Sequence, residues 1–159
     1  MSATQTEFGS IEREIHIDAA PEIVFEIVSR PEHIQQWWAD EVTLESATPG
    51  AVGELAFSDG TDPRAFVEPF TVVEADPPHR FAFRWIAEGQ EPPEGNSLLV
   101  TFELTADGAG TTLRMTESGF REKGWEAAVL EQAYNDHCHG WDANLPRIAP
   151  LAVALGSPS

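Results

Sequence analysis

The stretch from Ser97 to Glu117 leaves this chain the fewest structural choices. Leu98, Val100, Phe102 and Leu104 alternate with Leu99, Thr101, Glu103 and Thr105. Asp107-Gly108-Ala109-Gly110 then turns the chain, and Leu113 and Met115 resume the alternation against Arg114 and Thr116. A helix would scatter these apolar side chains around its circumference, whereas a period of two gathers them on one face of an antiparallel hairpin. By the same parity Glu117 shares the face of Met115, turned toward the apolar side. A sheet with one apolar face needs a cover. The chain supplies one after Ser118-Gly119, where Val129, Ala133, His137, Trp141, Leu145, Ile148 and then Leu151 or Ala152 recur every three or four residues. That stripe reads as one long C-terminal helix, which Pro146 and Pro150 must kink or end.

Upstream, Ile11, Ile15 and Ile17 oppose Glu12, Glu14 and His16, predicting a half-buried strand. Ile23 with Ile27 and Val24 with Val28 then stand four residues apart, so Glu22 to Ser29 forms a short helix, with Asp18 nearby as a cap and Pro21 in its first turn. Pro31 breaks it, and a second short helix, Glu32 to Ala39, ends in Trp37-Trp38. Consecutive residues at a helix end cannot both face inward, so one of these tryptophans belongs to the core and the other to a lid or surface contact. Val42 to Ser46 and Gly53 to Phe57 pair across Thr48-Pro49-Gly50, and Ala65 to Ala75 and His79 to Ala87 flank Asp76-Pro77-Pro78. In the last of these Phe81, Phe83 and Trp85 share a face opposite Arg80, Ala82 and Arg84, while Glu88 to Asn96 reads as a loop. The expected fold class is α+β: a curved antiparallel sheet of six to seven strands around a long C-terminal helix, with two short helices after strand 1. One domain spans residues 10–155, between flexible ends at 1–9 and 156–159.

Composition narrows the partners. Nine basic against 27 acidic residues give a net charge of −18, and Lys123 is the only lysine, so no cationic surface exists to bind nucleic acid or an anionic membrane. The acidic residues are scattered, as in a solvated, self-repelling surface. No apolar run approaches the ~18 residues of a membrane span. The N-terminus lacks the basic start and apolar core of a secretory signal, which points to the cytoplasm. Cys138 is the only cysteine, which excludes an intramolecular disulfide and suits a reducing compartment. His137, Cys138 and His139 invite a metal or nucleophile reading, but successive helical residues diverge by about 100° and the two imidazoles cannot share an ion. With no glycine-rich phosphate loop, nucleophile elbow or zinc-spaced His/Glu cluster, neither a metal nor a cofactor is expected.

Several local patterns fall in the order of one family. Ala20-Pro21-Glu22-Ile23-Val24-Phe25, followed by Pro31-Glu32-His33-Ile34-Gln35-Gln36-Trp37-Trp38, resembles the opening of the START-like, or SRPBCC, superfamily. Within it the chain is most similar to the branch named after the activator of the heat-shock chaperone ATPase. Val73-Glu74-Ala75-Asp76-Pro77-Pro78-His79-Arg80-Phe81 resembles that branch's strand-turn-strand. Gly110-Thr111-Thr112-Leu113 with Glu117-Ser118-Gly119-Phe120 resembles its last strand, and Gly140-Trp141 the glycine-tryptophan pair of its final helix. The resemblance covers residues 10–155 and departs at Pro146, Pro150 and the 88–96 loop. It implies a helix-grip fold with a cavity between sheet and helix; the fold alone does not choose an activity.

The ligand-binding residues expected for such a cavity are Trp38, Phe57, Phe83, Trp85, Phe102, Met115, Glu117, His137, Trp141 and Leu145. The competing reading is that these aromatics fill the space themselves. A carboxylate turned toward an apolar interior needs a partner, and His137 on the facing helix is the candidate; otherwise Glu117 lies in water at a frayed strand end and His137 bonds a backbone carbonyl. The leading expectation is a binder of a small hydrophobic or aromatic molecule, such as a lipid, polyketide or flavonoid-like compound. The first alternative is an interaction protein that activates a chaperone ATPase, with a homodimer also open. The second is a cyclase- or hydrolase-like enzyme using Glu117 and His137 as its weak catalytic candidates.

Overall fold

The computed structural model describes residues 10–85, 98–120 and 127–156. Strands β1 (Ser10–Ile17), β2 (Glu41–Leu44), β3 (Val52–Phe57), β4 (Phe66–Asp76), β5 (Arg80–Trp85), β6 (Leu98–Asp107) and β7 (Gly110–Ser118) form one antiparallel sheet in the order β1-β7-β6-β5-β4-β3-β2. Helices α1 (Pro21–Ser29) and α2 (Pro31–Trp37) follow β1, and α3 (Ala127–Asn144) and α4 (Ile148–Gly156) close the chain. This is the helix-grip architecture. The expected flexible end at 1–9 and the loop at 88–96 lie outside the described residues; of the expected flexible end at 156–159, Gly156 closes α4 and the rest lies outside them.

The hairpin that dominates the sequence forms in the expected register, with Phe102 opposite Met115 and Val100 opposite Glu117. Phe81, Phe83 and Trp85 from β5 extend the same buried face. In β4 a bulge between Val72 and Glu74 shifts the alternation by one residue. Phe70 and Val72 therefore face the core before it and Ala75, opposite Phe81, after it, while Val73 is left exposed.

One local expectation is corrected and another is sharpened. Asp18 does not cap α1: the N-cap is Ala20, without a side-chain hydrogen bond, and Asp18 lies 3.0 Å from His16 Nε2 instead. The C-terminal stripe breaks at Pro146, as expected, where Leu145–Arg147 forms a 3-10 turn, whereas Pro150 breaks nothing. Pro150 sits in the first turn of α4, where its missing N–H has no intrahelical acceptor to forfeit. The interruption has a use: Arg147 donates to the carbonyls of Gln36 and Trp37 at the end of α2.

Trp37 shows how a proline shapes the core. The carbonyl of Ile27 would ordinarily accept from the residue four further on, which is Pro31 and has no N–H. The Trp37 indole fills that vacancy, donating to Ile27 O at 3.0 Å from a fully buried position.

Candidate functional site

Glu117 is the centre of the site. It stands on the concave face of β7 with no exposed surface. Two indole N–H groups and one imidazole nitrogen converge on it: Trp141 Nε1 (2.8 Å) and His137 Nδ1 (2.9 Å) at Oε1, and Trp85 Nε1 (2.8 Å) at Oε2. Trp85 comes from β5, two strands away, while His137 and Trp141 are four residues apart on α3 and so share its inner face. An indole N–H can only donate, so both carboxyl oxygens act as acceptors here. Charge-assisted bonds of this kind are what allow a carboxylate to leave water. Glu117 is thus not at a frayed end, and its partner is the imidazole anticipated from the helix stripe. His139, two residues on, is exposed, as the divergence of consecutive helical side chains requires.

Beside this knot lies a cleft of about 230 Å³, lined by Trp38, Phe57, Trp85, Asp136, His137, Gly140, Trp141 and Asn144. Trp38 forms its far wall through an unusual local geometry. Its backbone leaves the helical region (φ −128°, ψ −78°), which lays its ring on that of Trp37, 5.7 Å away and within 19° of parallel. Both tryptophans therefore face the interior, contrary to what continued helical geometry allows: Trp37 is core, and the half-buried Trp38 meets Trp85 and Trp141, each at 5.0 Å between centroids.

The expected site residues divide into three groups. Trp38, Phe57, Trp85, His137 and Trp141 line the cleft. Glu117 sits behind its wall and reaches the cleft only through the three side chains it holds. Phe83, Phe102, Met115 and Leu145 are buried core, with Phe102 edge-on to Trp37 and Trp141, and Phe83 edge-on to Phe70. Asp136, Gly140 and Asn144 were not anticipated. They recur every four residues, one position ahead of His137 and Trp141, so widening the helix stripe by one residue would have found them.

A second contact sets where α3 lies. Arg13, on the inner face of β1, donates from Nε to Asp142 Oδ1 at 2.7 Å and from Nη2 to Oδ2 at 3.3 Å. The hydrogen bond from the guanidinium holds the Asp142 carboxyl below its usual range and raises Arg13 in turn. Nearby, Tyr134 donates to the carbonyl of Ser10.

A larger hollow of about 400 Å³ opens between α1 and the segment after β2, lined among others by Phe25, Glu26, Arg30, Glu32 and Glu45. Its one arginine pairs locally with Glu32 at 3.1 Å, and it has no counterpart to the buried carboxylate. Chemistry rather than volume selects the tryptophan cleft. Among the described residues there is no cluster of ligating side chains for a metal and no helix long and apolar enough to cross a membrane.

Comparison with known proteins places this geometry. The family model described as "Activator of Hsp90 ATPase homolog 1-like protein" matches residues 18–152. A crystallised protein of Mesorhizobium loti is 21% identical with a TM-score of 0.73, over 94% of this chain and 99% of that one. DynU16, described as a putative protein in the dynemicin biosynthetic locus, is 24% identical with a TM-score of 0.66, over 89% of this chain and 46% of its own. The Aha1 dimer of Colwellia psychrerythraea, solved in solution, is 16% identical with a TM-score of 0.57, over 85% of this chain and 96% of that one. At these identities the likeness is one of fold. None of the curated proteins compared with the chain matches it.

Proposed function

The chain belongs to the Activator of Hsp90 ATPase homolog 1-like protein family, and from that premise we propose that it binds a small aromatic molecule in the tryptophan cleft. The observation that carries this reading is a cleft walled by four aromatic rings, Trp38, Phe57, Trp85 and Trp141, whose packing on one another leaves their outer faces and edges lining an open space. Its size narrows the ligand. An enclosed apolar cavity of ~150 Å³ holds benzene, and a half-open cleft of about 230 Å³ has room for a flat molecule of one or two rings, part of which stays in solvent. The placing of one structural neighbour in a biosynthetic locus accords with a small-molecule ligand.

A bicyclic ring of indole size buries roughly 200 Å², worth about 5 kcal/mol gross at about 25 cal/mol per Å². Association costs come out of that figure, so an unoptimised hydrocarbon is expected to bind no more tightly than about 1 mM. The indole N–H resonances report occupancy directly, since three of the five tryptophans line the cleft. Titration with indane or 5-indanol is expected to shift those of Trp38, Trp85 and Trp141 saturably. Gly140→Leu supplies the control. A Cβ at Gly140 meets nothing within 4 Å, and the position lies inside α3, so the substitution fills the cleft while favouring the helix. Stability should hold or rise while binding is lost. Absence of saturable shifts with either probe, or binding undiminished in Gly140→Leu, refutes the reading.

A further inference from the structure

The Glu117–His137 pair gives the cleft a polar preference. We infer that His137 Nε2 is a fixed hydrogen-bond acceptor selecting aromatic ligands that carry a hydroxyl donor, with Glu117 as the positioning residue behind it. This rests on the tryptophan cleft being a ligand site.

Three observations converge. The Nδ1 of His137 faces Glu117 Oε1 at 2.9 Å, and that carboxylate already receives two indole N–H groups, so it takes the imidazole N–H as a third donor. In a neutral imidazole a donating Nδ1 leaves Nε2 as the acceptor. The ring cannot readily turn away, because it lies between Trp85, 5.5 Å away, and Phe120, edge-on at 5.3 Å. With Nδ1 directed into the buried carboxylate, Nε2 lies on the opposite side of the ring. His137 lines the cleft, and among the described residues none hydrogen-bonds to Nε2.

The rest of the lining does not duplicate that role. Trp38, Phe57, Trp85 and Trp141 offer ring faces and edges. Asp136 is exposed at the rim and already accepts from Gln132 at 2.9 Å. Asn144 is the one other polar side chain of the wall, and its carboxamide both donates and accepts. A hydroxyl on a flat ring held among the tryptophans would therefore meet His137 Nε2 as the acceptor fixed within the aromatic wall, with Asp136 at the exposed rim and Asn144 able to serve either way. The ligand class that fits is a phenol or enol of one or two rings.

Three probes of nearly one shape separate the possibilities: 5-indanol, which donates; 5-methoxyindane, which has the oxygen but no donor; and indane, which has neither. Calorimetric or chemical-shift titration of the wild-type chain should show 5-indanol binding about 10-fold more tightly than either of the others, the worth of one well-formed hydrogen bond. In His137→Phe, which keeps an aromatic wall, indane should still bind and the preference should fall to about 1. Glu117→Gln should lower the 5-indanol to indane ratio, whereas a merely structural role for Glu117 would weaken both probes alike. Equal binding of all three probes to wild type overturns the inference and leaves the aromatic cleft standing. Equal binding of 5-methoxyindane and 5-indanol, both above indane, overturns it by showing that the cleft donates. A preference that persists in His137→Phe overturns it in favour of Asn144. If none of the probes binds, the cleft reading fails and this inference with it.

Discussion

Replacing Glu117 by Gln changes almost no volume, so its effect on stability isolates the polar chemistry of the buried knot. A glutamine has one carbonyl oxygen and one amide nitrogen where glutamate has two acceptors. If the oxygen stays on the side of His137 and Trp141, the amide nitrogen confronts the Trp85 N–H, two donors facing each other. The flipped amide strands the Trp141 N–H instead, and holds His137 only if its imidazole changes tautomer. Hydrogen bonds to a charged group contribute about 1.5–3 kcal/mol net and neutral ones about 0.5–1.5. Three bonds of the first kind become two of the second, and Trp85, itself buried, cannot turn its N–H to water. The expected loss is about 3–5 kcal/mol, a large part of the ~5–15 kcal/mol that holds a typical domain together. With a urea slope of about 2 kcal/mol per M, the unfolding midpoint should fall by about 1.5–2.5 M at unchanged slope. Glu103→Gln is the matched control: Glu103 also sits on the β6–β7 hairpin and accepts from Arg80 Nη1 at 2.7 Å, but its side chain is 42% exposed. That pair should be worth under about 1 kcal/mol. Equal costs at the two positions, or a loss under about 1 kcal/mol at Glu117, would refute the claim that the three donors stabilise a buried charge.

Other expectations follow from the frame around the site. Because the guanidinium holds the Asp142 carboxyl below the ordinary aspartate value, the Arg13–Asp142 contact stabilises the fold above that ordinary value and stops doing so as pH falls through the lowered one. The stability difference between wild type and Asp142→Asn should thus be present at about pH 6, vanish in acid, and stay under about 1 kcal/mol, since both side chains are partly exposed; a difference that grows in acid contradicts the sign. Gly53→Ala would place a Cβ against the carbonyl oxygen of Thr43 and 2.7 Å from the Phe70 ring, so it should cost about 1–3 kcal/mol and loosen β2, read as faster amide exchange along Glu41–Leu44. With a net charge of −18, the melting temperature should rise as sodium chloride increases from about 0.02 to 0.3 M, and a fall would mean that attractive pairs outweigh the repulsion.

The sheet was legible in the sequence because its pattern depends only on parity. Once Phe102 and Met115 face inward, Val100 and Glu117 must follow, and the observed register agrees. The helix stripe likewise placed His137 and Trp141 on the inner face of α3. Less legible were features set by contacts across the fold. The backbone turn at Trp38, the bulge after Val72 and the indole bonded to Ile27 each follow from how distant elements meet. Sequence spacing gave the direction of Glu117, but not that Trp85, two strands away, would complete its shell. Periodicity also says nothing of how far α3 stands from the sheet, and that separation decides whether Trp85 and Trp141 touch or leave a cleft.

The same contacts explain why the cleft stays open. Aromatic rings free to move would collapse into a void of this size, gaining dispersion contacts on both sides. Here Trp85 and Trp141 are tied by their N–H groups to opposite oxygens of one carboxylate, and closing the gap would bend or break bonds that a buried charge requires. Trp38 packs against both of them and is fixed in turn by its stacking on Trp37, whose own indole is committed to Ile27. Truncating Glu117 should therefore do more than destabilise the fold. It should free Trp85 and Trp141 to pack into the cleft, so that a Glu117→Leu chain which still folds loses affinity for indane as well as for 5-indanol. His137→Phe, which leaves both indole bonds in place, should lose only the preference between them. If Glu117→Leu binds indane as wild type does, the carboxylate is not what holds the cleft open.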